Sequence, residues 1–332
     1  MFVIIKRKLF LGIAAVVALA SLLIVGVFGL NFGIDFTGGS LTEVSYSAAP
    51  DKSSVETVMV AQGLETASVR LSLDEAGRDA YIIRTRDLTE SERVALSAAV
   101  VELGEGGEIS RFTSIGPVIG QELRDKAVWA IAMVMGIIVL YVAYAFAGIG
   151  TPVRSWTYGV VTILVLMHDV LVPTAVMSLL GLWMGVEVDV LFVMALLAVL
   201  GYSVNDTIVI FDRVRENLVQ NRTEHRRKVQ EVGELEHEEV TYTLTRPYAE
   251  LVGEAVEQTI ARSINTSITT TVALAALFFL GGAVTQTFAL ILLAGVIAGT
   301  YSSICIASPL VVAYAKWRGV AVDHFDSTNQ SK

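Results

Sequence analysis

An uncharged stretch at residues 263–315 constrains the fold of this chain more than any other feature. A helix needs about 20 apolar residues to cross about 30 Å of hydrocarbon, so the stretch is too long for one crossing. It is also too apolar for a segment dissolved in water. We therefore expect a helical hairpin with its turn near residues 281–287, where glycines and polar residues interrupt the run.

Four further apolar runs are long enough to span a membrane, which brings the predicted number of spans to six. The mean hydropathy of +0.62 lies far above the norm for soluble domains, so a membrane is the expected solvent. The first run follows Lys6, Arg7 and Lys8 as in a signal peptide, but it is longer and lacks a clear cleavage site, so we expect an uncleaved anchor. The four runs are residues 9–30, 127–149, 155–186 and 190–211.

Lysine and arginine in the short flanking segments predict the orientation, because cations stay preferentially on the cytoplasmic side. The short turns at residues 183–189 and 281–287 carry neither residue type. Cations cluster at the opposite ends of the spans, so we expect both termini in the cytoplasm, with residues 316–332 as a tail and residues 31–126 outside. These cations are Lys6, Arg7, Lys8, Arg154, Arg213, Arg215, Lys316 and Arg318.

Residues 31–126 are predicted to fold as an α+β domain, because alternating and helical apolar patterns are separated by turn residues. Their order, βαβ followed by βαβ, is ferredoxin-like. Thr89 and Glu92 have the spacing of a reciprocal helix cap. The fold class is therefore an α-helical polytopic membrane protein with an inserted extracytoplasmic α+β domain. The predicted strands are residues 40–47, 67–73, 80–86 and 108–115, and the predicted helices are residues 52–62 and 89–103.

The remaining composition gives fewer constraints. Residues 212–262 mix both signs of charge, and we interpret them as a solvated cytoplasmic helix or flexible loop. The net charge of −9 says little about partners, because the charges of a membrane protein lie in its loops, and nucleic acid is not an expected ligand. The single cysteine, Cys305, excludes an intramolecular disulfide. We expect no metal site and no cofactor.

Ionisable side chains inside predicted spans are functional candidates, because they are costly in hydrocarbon. Asp206, beside Asn205, lies on the fourth span near its inner end, where an ion-binding role and a packing hydrogen bond are both open to it. His168 and Asp169 lie midway along the third span, where a proton relay and a packing role are both open. Arg262 begins the fifth span, where a snorkelling anchor is the simplest interpretation.

A sharper hypothesis places Asp206 and Arg262 together at the inner mouth of a cavity between the fourth and fifth spans. The proton affinity of a buried carboxyl depends on whether a cation stands beside it, so a small movement of Arg262 would bind or release a proton at Asp206. A proton that crosses about 100 mV releases about 2.3 kcal/mol, which is enough to bias a conformational equilibrium. Such a pair would couple ion flow to motion.

Five stretches of sequence together resemble the SecF family, whose members work beside the Sec protein-conducting channel. Their order and their positions relative to the predicted spans match the family across nearly the whole chain. They are GLNFGIDFTGGSLTEV at residues 29–44, GQELRDKAVWA at 120–130, HDV at 168–170, GYSVNDTIVIFDRVREN at 201–217 and EQTIARSINTSITTT at 257–271.

The resemblance implies a six-span bundle like that of resistance-nodulation-division transporters, in the bacterial cytoplasmic membrane and in contact with its lipid. It implies a SecD-like partner, the SecYEG channel and YajC as further partners, and preproteins as substrates whose export draws on proton or sodium flow. Asp206 matches the coupling aspartate of the Asn-Asp-Thr motif. Arg262 matches the arginine of a Ser-Arg-Thr stretch that here reads Ala261-Arg262-Ser263, and residues 222–246 are an insertion relative to the family.

Three other functions fit this sequence less well. Asp169 and Asp206 lie on consecutive spans, as in an intramembrane aspartyl protease, but the glycine-aspartate surroundings of that chemistry are absent, and we predict no enzymatic activity. A small-molecule or lipid exporter would need two such halves and a larger outer funnel. A structural membrane scaffold predicts that Asp206 can be replaced by asparagine without effect.

Overall fold

The computed structural model describes residues 2–74, 77–145, 153, 155–229 and 237–319. Within these ranges, six helical crossings are long and apolar enough to span a membrane, as the sequence predicts. The sixth crossing consists of two α-helices joined by one π-helical segment, named π1. The elements in chain order are α1 (Phe2–Ile5), α2 (Arg7–Phe28), α3 (Ile34–Thr37), β1 (Gly39–Ser45), α4 (Lys52–Ala61), β2 (Ser68–Leu73), β3 (Asp79–Thr85), α5 (Glu90–Val101), β4 (Glu108–Ile115), α6 (Pro117–Ala145), α7 (Ser155–Met184), α8 (Val190–Gln220), β5 (Arg222–Val229), β6 (His237–Leu244), α9 (Tyr248–Leu280), α10 (Ala283–Ser302), π1 (Ser303–Ala307) and α11 (Ser308–Trp317).

The outer domain is a four-stranded antiparallel sheet in the order β2-β3-β1-β4, with α4 and α5 packed on one face. This is the predicted ferredoxin-like arrangement, in which the strands of the two βαβ units interleave in one sheet. Val44 of β1 and Ile83 of β3 point to the same face and are fully buried. Val55 of α4 and Val100 of α5 join them in one apolar core.

The predicted cap of the second domain helix is present at α5. The Glu92 amide donates to the Thr89 hydroxyl at 3.4 Å, and the Thr89 amide donates to Glu92 Oε2 at 2.8 Å. Arg86 Nη2 donates to the other oxygen of Glu92 at 2.5 Å. The hydrogen bond from Arg86, followed by those from Thr89, lowers the pKa of Glu92 to about 2.

The centre of the bundle consists of α7, α8 and the sixth crossing. In each of these three crossings, 50–56% of the most apolar segment is buried inside the protein. The buried share of the corresponding segment is only 6–11% in α2, α6 and α9. Gly295 and Gly299 of α10 lie against Val199 and Ser203 of α8, and a Cβ atom at either glycine would come within 3 Å of these neighbours. Small residues at this spacing therefore bring the two helices into close contact. The predicted hairpin is present, with its turn at Gly281 and Gly282.

α6 begins at Pro117, ten residues before the predicted start of the second span at residue 127. Gly120 of this first part packs against Phe36 and Gly38 of the segment that leads into the sheet. Proline suits the first turn of a helix, and the Lys126 and Glu122 side chains form an i,i+4 pair at 2.7 Å within this segment. The predicted end of the span, at residue 149, lies outside the described residues.

Residues 212–262, which the sequence predicts as a solvated cytoplasmic helix or flexible loop, are helical at both ends. α8 continues to Gln220, α9 already begins at Tyr248, and the antiparallel pair β5 and β6 lies between them in the predicted insertion. The helices extend because they bury each other beyond the apolar run: Val214 and Leu218 of α8 share a core with Leu251 of α9. Of the predicted tail at residues 316–332, only the part up to residue 319 is described.

The outer domain is held to the bundle by the segment that follows α2. The Gly33 amide donates to the Val188 carbonyl at 2.8 Å, in the turn between α7 and α8. Asp35 Oδ2 accepts from the Val190 amide, the first of α8, at 2.9 Å. Arg84 of β3 forms an ion pair with Glu187 at 2.9 Å. The domain is thereby fixed to the N-terminal end of α8.

Candidate ion-coupling site

Asp169 of α7 is the most extensively hydrogen-bonded carboxylate in the bundle interior. Its side chain is fully buried. Oδ2 accepts from the Ser203 hydroxyl of α8 at 2.5 Å and from the Ser302 hydroxyl of α10 at 2.6 Å. Oδ1 lies 2.9 Å from Nδ1 of His168. Because one carboxylate receives groups from three helices, it joins them at one point.

His168 extends this network to a second residue of α10. Its Nε2 lies 2.7 Å from the Tyr301 hydroxyl, and the two rings meet edge to face. With its proton on Nδ1, the ring donates to Asp169 and accepts from Tyr301, so both nitrogens are satisfied in the neutral form. The predicted pair, His168 and Asp169, is thus brought together and fully bonded.

Asp206 of α8 has a contrasting environment. It lies one helical turn beyond Ser203, and only 4% of its surface is exposed. Its Oδ2 atom is buried without a hydrogen-bond partner among the described residues, and so is the hydroxyl of Ser263 on α9. Ser263 is the hydroxyl that interacts with this carboxylate, although the geometry falls short of a hydrogen bond. A buried, unpartnered carboxylate oxygen is rare in folded proteins and points to a site where something binds.

Arg262 lies within α9, which begins at Tyr248 and continues into the uncharged stretch that follows this arginine. Its side chain is exposed, and it forms no ion pair within 4.0 Å of Asp206 in the part of the chain that is described. Its charge still acts on the Asp206 carboxylate through space. The structure therefore places the predicted partners near each other but out of contact.

Asn205 does not belong to this cluster, since it is exposed whereas its neighbour Asp206 is buried. The two buried aspartates are also separate from each other. Within the described residues, Asp169 receives its hydrogen bonds from serine and histidine side chains and none from Asp206. These ranges contain no group of three or more His, Cys, Asp or Glu side chains that is placed to hold a metal ion.

The π-helical segment π1 lies beside this part of α8. The Ser303 hydroxyl is 2.9 Å from that of Thr207, which follows Asp206, and also donates to the Ser203 carbonyl at 3.4 Å. Single π-helical turns inside α-helices occur frequently at functional sites. The sixth crossing thus departs from α-helical geometry where it meets the carboxylate-bearing turn of α8.

Sequence reasoning missed the hydroxyl groups that organise this site: Ser203, Ser302, Tyr301 and Ser263. Serine and threonine are common in membrane helices and usually bond their own backbone, so each one alone carries little signal. The available clue was position. Ser203 precedes Asp206 by one turn, and Ser263 follows Arg262 directly, so both are neighbours of predicted site residues.

Six apolar crossings and a pair of buried carboxylates define a polytopic membrane protein with ionisable groups inside its helical bundle. Comparison with known families agrees with this architecture. The family described as "Protein export membrane protein SecD/SecF, C-terminal" matches residues 96–236 and 235–317. The family described as "SecD/SecF GG Motif" matches residues 24–50.

Individual relatives match over almost the whole chain. Protein translocase subunit SecF of Anaerolinea thermophila is 32% identical over 317 residues, which cover 94% of this chain and 94% of that protein. Protein translocase subunit SecDF of Thermus thermophilus is 34% identical over 328 residues, which cover 96% of this chain and 40% of that protein. The chain belongs to the SecF family of protein translocase subunits.

Two solved structures share the fold. A crystal structure of SecDF from Thermus thermophilus, described as a translocon-associated membrane protein, superposes with a TM-score of 0.76 at 31% identity. It matches 94% of this chain and 38% of the SecDF chain. A structure of SecDF in a super-membrane-facing form gives a TM-score of 0.58 at 33% identity, and matches 95% of this chain and 38% of that one.

Proposed function

We propose that this chain couples the flow of an ion, a proton or sodium, to the export of preproteins across the bacterial cytoplasmic membrane. One observation carries the proposal: the buried Asp206 has an unpartnered oxygen, while the cation of Arg262 stands within electrostatic range but out of contact. A carboxylate in a low-dielectric interior is costly when it is charged and alone. It therefore favours either a bound ion or the approach of its cation.

Two states of the bundle follow from this arrangement. In one, Asp206 holds a proton or a sodium ion and Arg262 remains exposed. In the other, the ion has left and Arg262 moves inward to neutralise the carboxylate. Moving one charge through about 100 mV supplies about 2.3 kcal/mol, which is enough to shift such an equilibrium by a factor of about 50.

The connection between α8 and the outer domain supports mechanical coupling. Asp206 lies on the same helix whose first amide, at Val190, donates to Asp35 of the outer segment. The neighbouring ion pair of Glu187 with Arg84 joins the same turn to the sheet. A displacement of α8 would therefore be transmitted to the outer domain through short, direct contacts.

The two SecDF structures add independent support for movement. This chain is 31% identical to the first structure and 33% identical to the second, and it covers 38% of each SecDF chain. The TM-score is nevertheless 0.76 for the first structure and 0.58 for the second. One sequence family thus adopts forms that differ in tertiary arrangement. A device that alternates between states requires this property.

We further propose a SecD-like subunit as the direct partner, beside the SecYEG channel and YajC. In SecDF of Thermus thermophilus, the region that matches this chain makes up 40% of a longer protein. The helices α6 and α9 leave wide apolar faces, including Trp129 and Val272 at 71% and 63% exposure, which suit a second helical bundle as well as lipid. Copurification with a second polytopic subunit would support this assembly, and isolation as a self-sufficient monomer would contradict it.

For the topology, we propose cytoplasmic termini and an extracytoplasmic α+β domain. The positive-inside distribution of lysine and arginine supports it. Arg70 of β2 reaches the Gly185 carbonyl at 3.2 Å, so the domain lies at the end of the bundle whose short turns lack lysine and arginine. Labelling of cysteines introduced in the domain and near the termini, with a membrane-impermeant reagent on intact cells, checks this orientation.

Gradient-driven export in vesicles that contain the complete translocase tests the coupling. Asp206→Asn keeps the size of the side chain but cannot ionise, and Arg262→Ala removes the cation. We expect both variants to lose the stimulation of export by the ion gradient and to remain in the membrane in normal amounts. Asp212→Asn, an exposed carboxylate on the same helix, is the matched control. Wild-type stimulation in the Asp206 variant would instead indicate a scaffold.

A further inference from the structure

We propose that Tyr202, Ser267, Thr300 and Ser263 form the route by which protons reach Asp206 from the outer side of the membrane. The inference rests on the proposed function of Asp206 and specifies both the ion and its path. Three of these hydroxyls already form a hydrogen-bonded cluster, and the fourth lies between that cluster and the unpartnered carboxylate oxygen.

The cluster joins three helices at one point. The Tyr202 hydroxyl of α8 donates to Ser267 Oγ of α9 at 3.0 Å. The Thr300 hydroxyl of α10 lies 2.6 Å from the same Ser267 oxygen. Ser267 is buried, whereas Tyr202 and Thr300 are half-buried, so the cluster extends from the edge of the bundle to its interior.

The directions of the helices place this cluster outward of Asp206. α8 runs inward from its outer end at Val190, so Tyr202 lies about 18 Å and Asp206 about 24 Å along it. α9 runs in the opposite direction, so Ser267 lies one turn outward of Ser263. On α8, the hydrogen-bonded Tyr202 hydroxyl lies one turn outward of Asp206 Oδ2. On α9, the hydrogen-bonded Ser267 hydroxyl lies one turn outward of Ser263 Oγ. Neither of the two deeper oxygens has a hydrogen-bond partner among the described residues.

The hydroxyls can exchange their partners, as proton transfer requires. Ser267 also donates to the Ser263 carbonyl at 2.8 Å, and Thr300 donates to the Val296 carbonyl at 2.7 Å. Ser267 and Thr300 each have one proton and two acceptors within reach, so each hydroxyl can rotate between them. The step from Ser267 to Ser263 is one helical turn, about 6 Å, so the proposed transfer requires one bridging water molecule between them.

A hydronium ion at the outer end gives a proton to the first hydroxyl oxygen and becomes water. Each hydroxyl passes its own proton inward as it accepts one, and the last proton binds Asp206 Oδ2, which changes from carboxylate to carboxylic acid. Rotation of the hydroxyls then restores the original pattern.

The Asp169 network does not offer the same route. Both serine hydroxyls at Asp169 donate to its Oδ2, and the histidine occupies its other oxygen. The path through Ser267 differs from the Asp169 network because it ends at two oxygens without a partner among the described residues, Ser263 Oγ and Asp206 Oδ2.

Proton uptake by vesicles that contain the complete translocase, measured with a pH-sensitive dye in the lumen under an imposed gradient, tests the route. Tyr202→Phe removes one hydroxyl and nothing else, and Ser267→Ala removes the central one. We expect each to slow uptake about tenfold, the effect of losing a hydrogen bond worth about 1.4 kcal/mol from the transfer path. Ser267→Thr, which keeps the hydroxyl, should restore most of the rate.

Thr266→Val is the matched control, because among the described residues this hydroxyl bonds only to the Arg262 carbonyl of its own helix. We also expect slower uptake in heavy water for the wild type. Loss of uptake in Asp206→Asn together with wild-type rates in Tyr202→Phe and Ser267→Ala would overturn the route and leave the proposed function intact. Wild-type uptake in Asp206→Asn would overturn both, and uptake of sodium with no effect of heavy water would overturn the route.

Discussion

Ser203 donates a 2.5 Å hydrogen bond to the buried carboxylate of Asp169, and it does so from the helix that carries Asp206, one turn away. Gly299 of α10 lies against the same serine, where a Cβ atom would be 3.2 Å from its Cα atom. Ser302, one turn further on α10, completes the contact with Asp169. The position of the Asp206 turn is therefore determined by a polar contact on one side and by close backbone packing on the other.

Replacement of Asp169 should destabilise the bundle strongly. Asp169→Ala leaves the hydroxyls of Ser203 and Ser302 and the ring of His168 without their acceptor in a dry interior. Since each unsatisfied buried group costs about 1–3 kcal/mol, we expect the free energy of unfolding to fall by at least about 3 kcal/mol. Denaturant unfolding in detergent measures the change. Asp212→Ala, at an exposed position of α8, should shift it by less than about 0.5 kcal/mol, and equal losses in both variants would contradict the assignment.

The contact between α8 and α10 predicts a rescue. A Cβ atom at Gly295 would be 2.1 Å from Val199 Cγ2, so Gly295→Ala forces the helices apart and should cost about 1–3 kcal/mol. The double variant with Val199→Ala removes the clashing atoms and should recover most of that loss. Thermal unfolding of the single and double variants measures this recovery. Gly136→Ala, which meets no atom within 4 Å, controls for the intrinsic effect of alanine in a helix, and a double variant no better than the single one would contradict the contact.

The ion pair between the sheet and the turn before α8 predicts a measurable coupling. Arg84 Nη1 and Glu187 Oε1 are 2.9 Å apart, with side chains 23% and 26% exposed. A double-mutant cycle with Arg84→Ala and Glu187→Ala should give a coupling free energy of about 0.5–1 kcal/mol, reduced by salt because the pair is partly solvated. The same variants should raise hydrogen exchange at the Val190 amide. Additive effects of the two substitutions would show that the pair does not hold the domain.

The cap of α5 predicts a dependence on pH. The pKa of Glu92 in the folded chain is about 2, below its unfolded value of about 4.3, so its stabilising effect is complete above the unfolded value and is lost as the pH falls toward 2. Protection factors of the α5 amides, from hydrogen exchange on the full chain, should therefore decrease over this range. Glu92→Gln should show lower protection at neutral pH and little further decrease. Glu65→Gln, an exposed position outside α5, should follow the wild type, and a wild-type response in Glu92→Gln would rule out the cap as the cause.

The local features of this protein were predictable from its sequence. Hydropathy alone locates the six crossings, because each must shield its own backbone in hydrocarbon whatever its neighbours are. Strand alternation and the spacing of Thr89 and Glu92 predict the domain elements, because these patterns act over a few residues. Asp206, His168 and Asp169 are recognisable because charge inside an apolar run is costly anywhere in the membrane.

The tertiary structure decided how those groups are used. Asp169, Ser203 and Ser302 come from three helices and meet only because the glycines of α10 set its distance and rotation against α8. The lengths of α8 and α9 likewise depend on burial of one by the other beyond the apolar run. Rotation of a helix about its axis is a property of long-range packing, which no local pattern encodes. It is this rotation that leaves Asp206 Oδ2 without a hydrogen-bond partner among the described residues, while both oxygens of Asp169 are hydrogen-bonded.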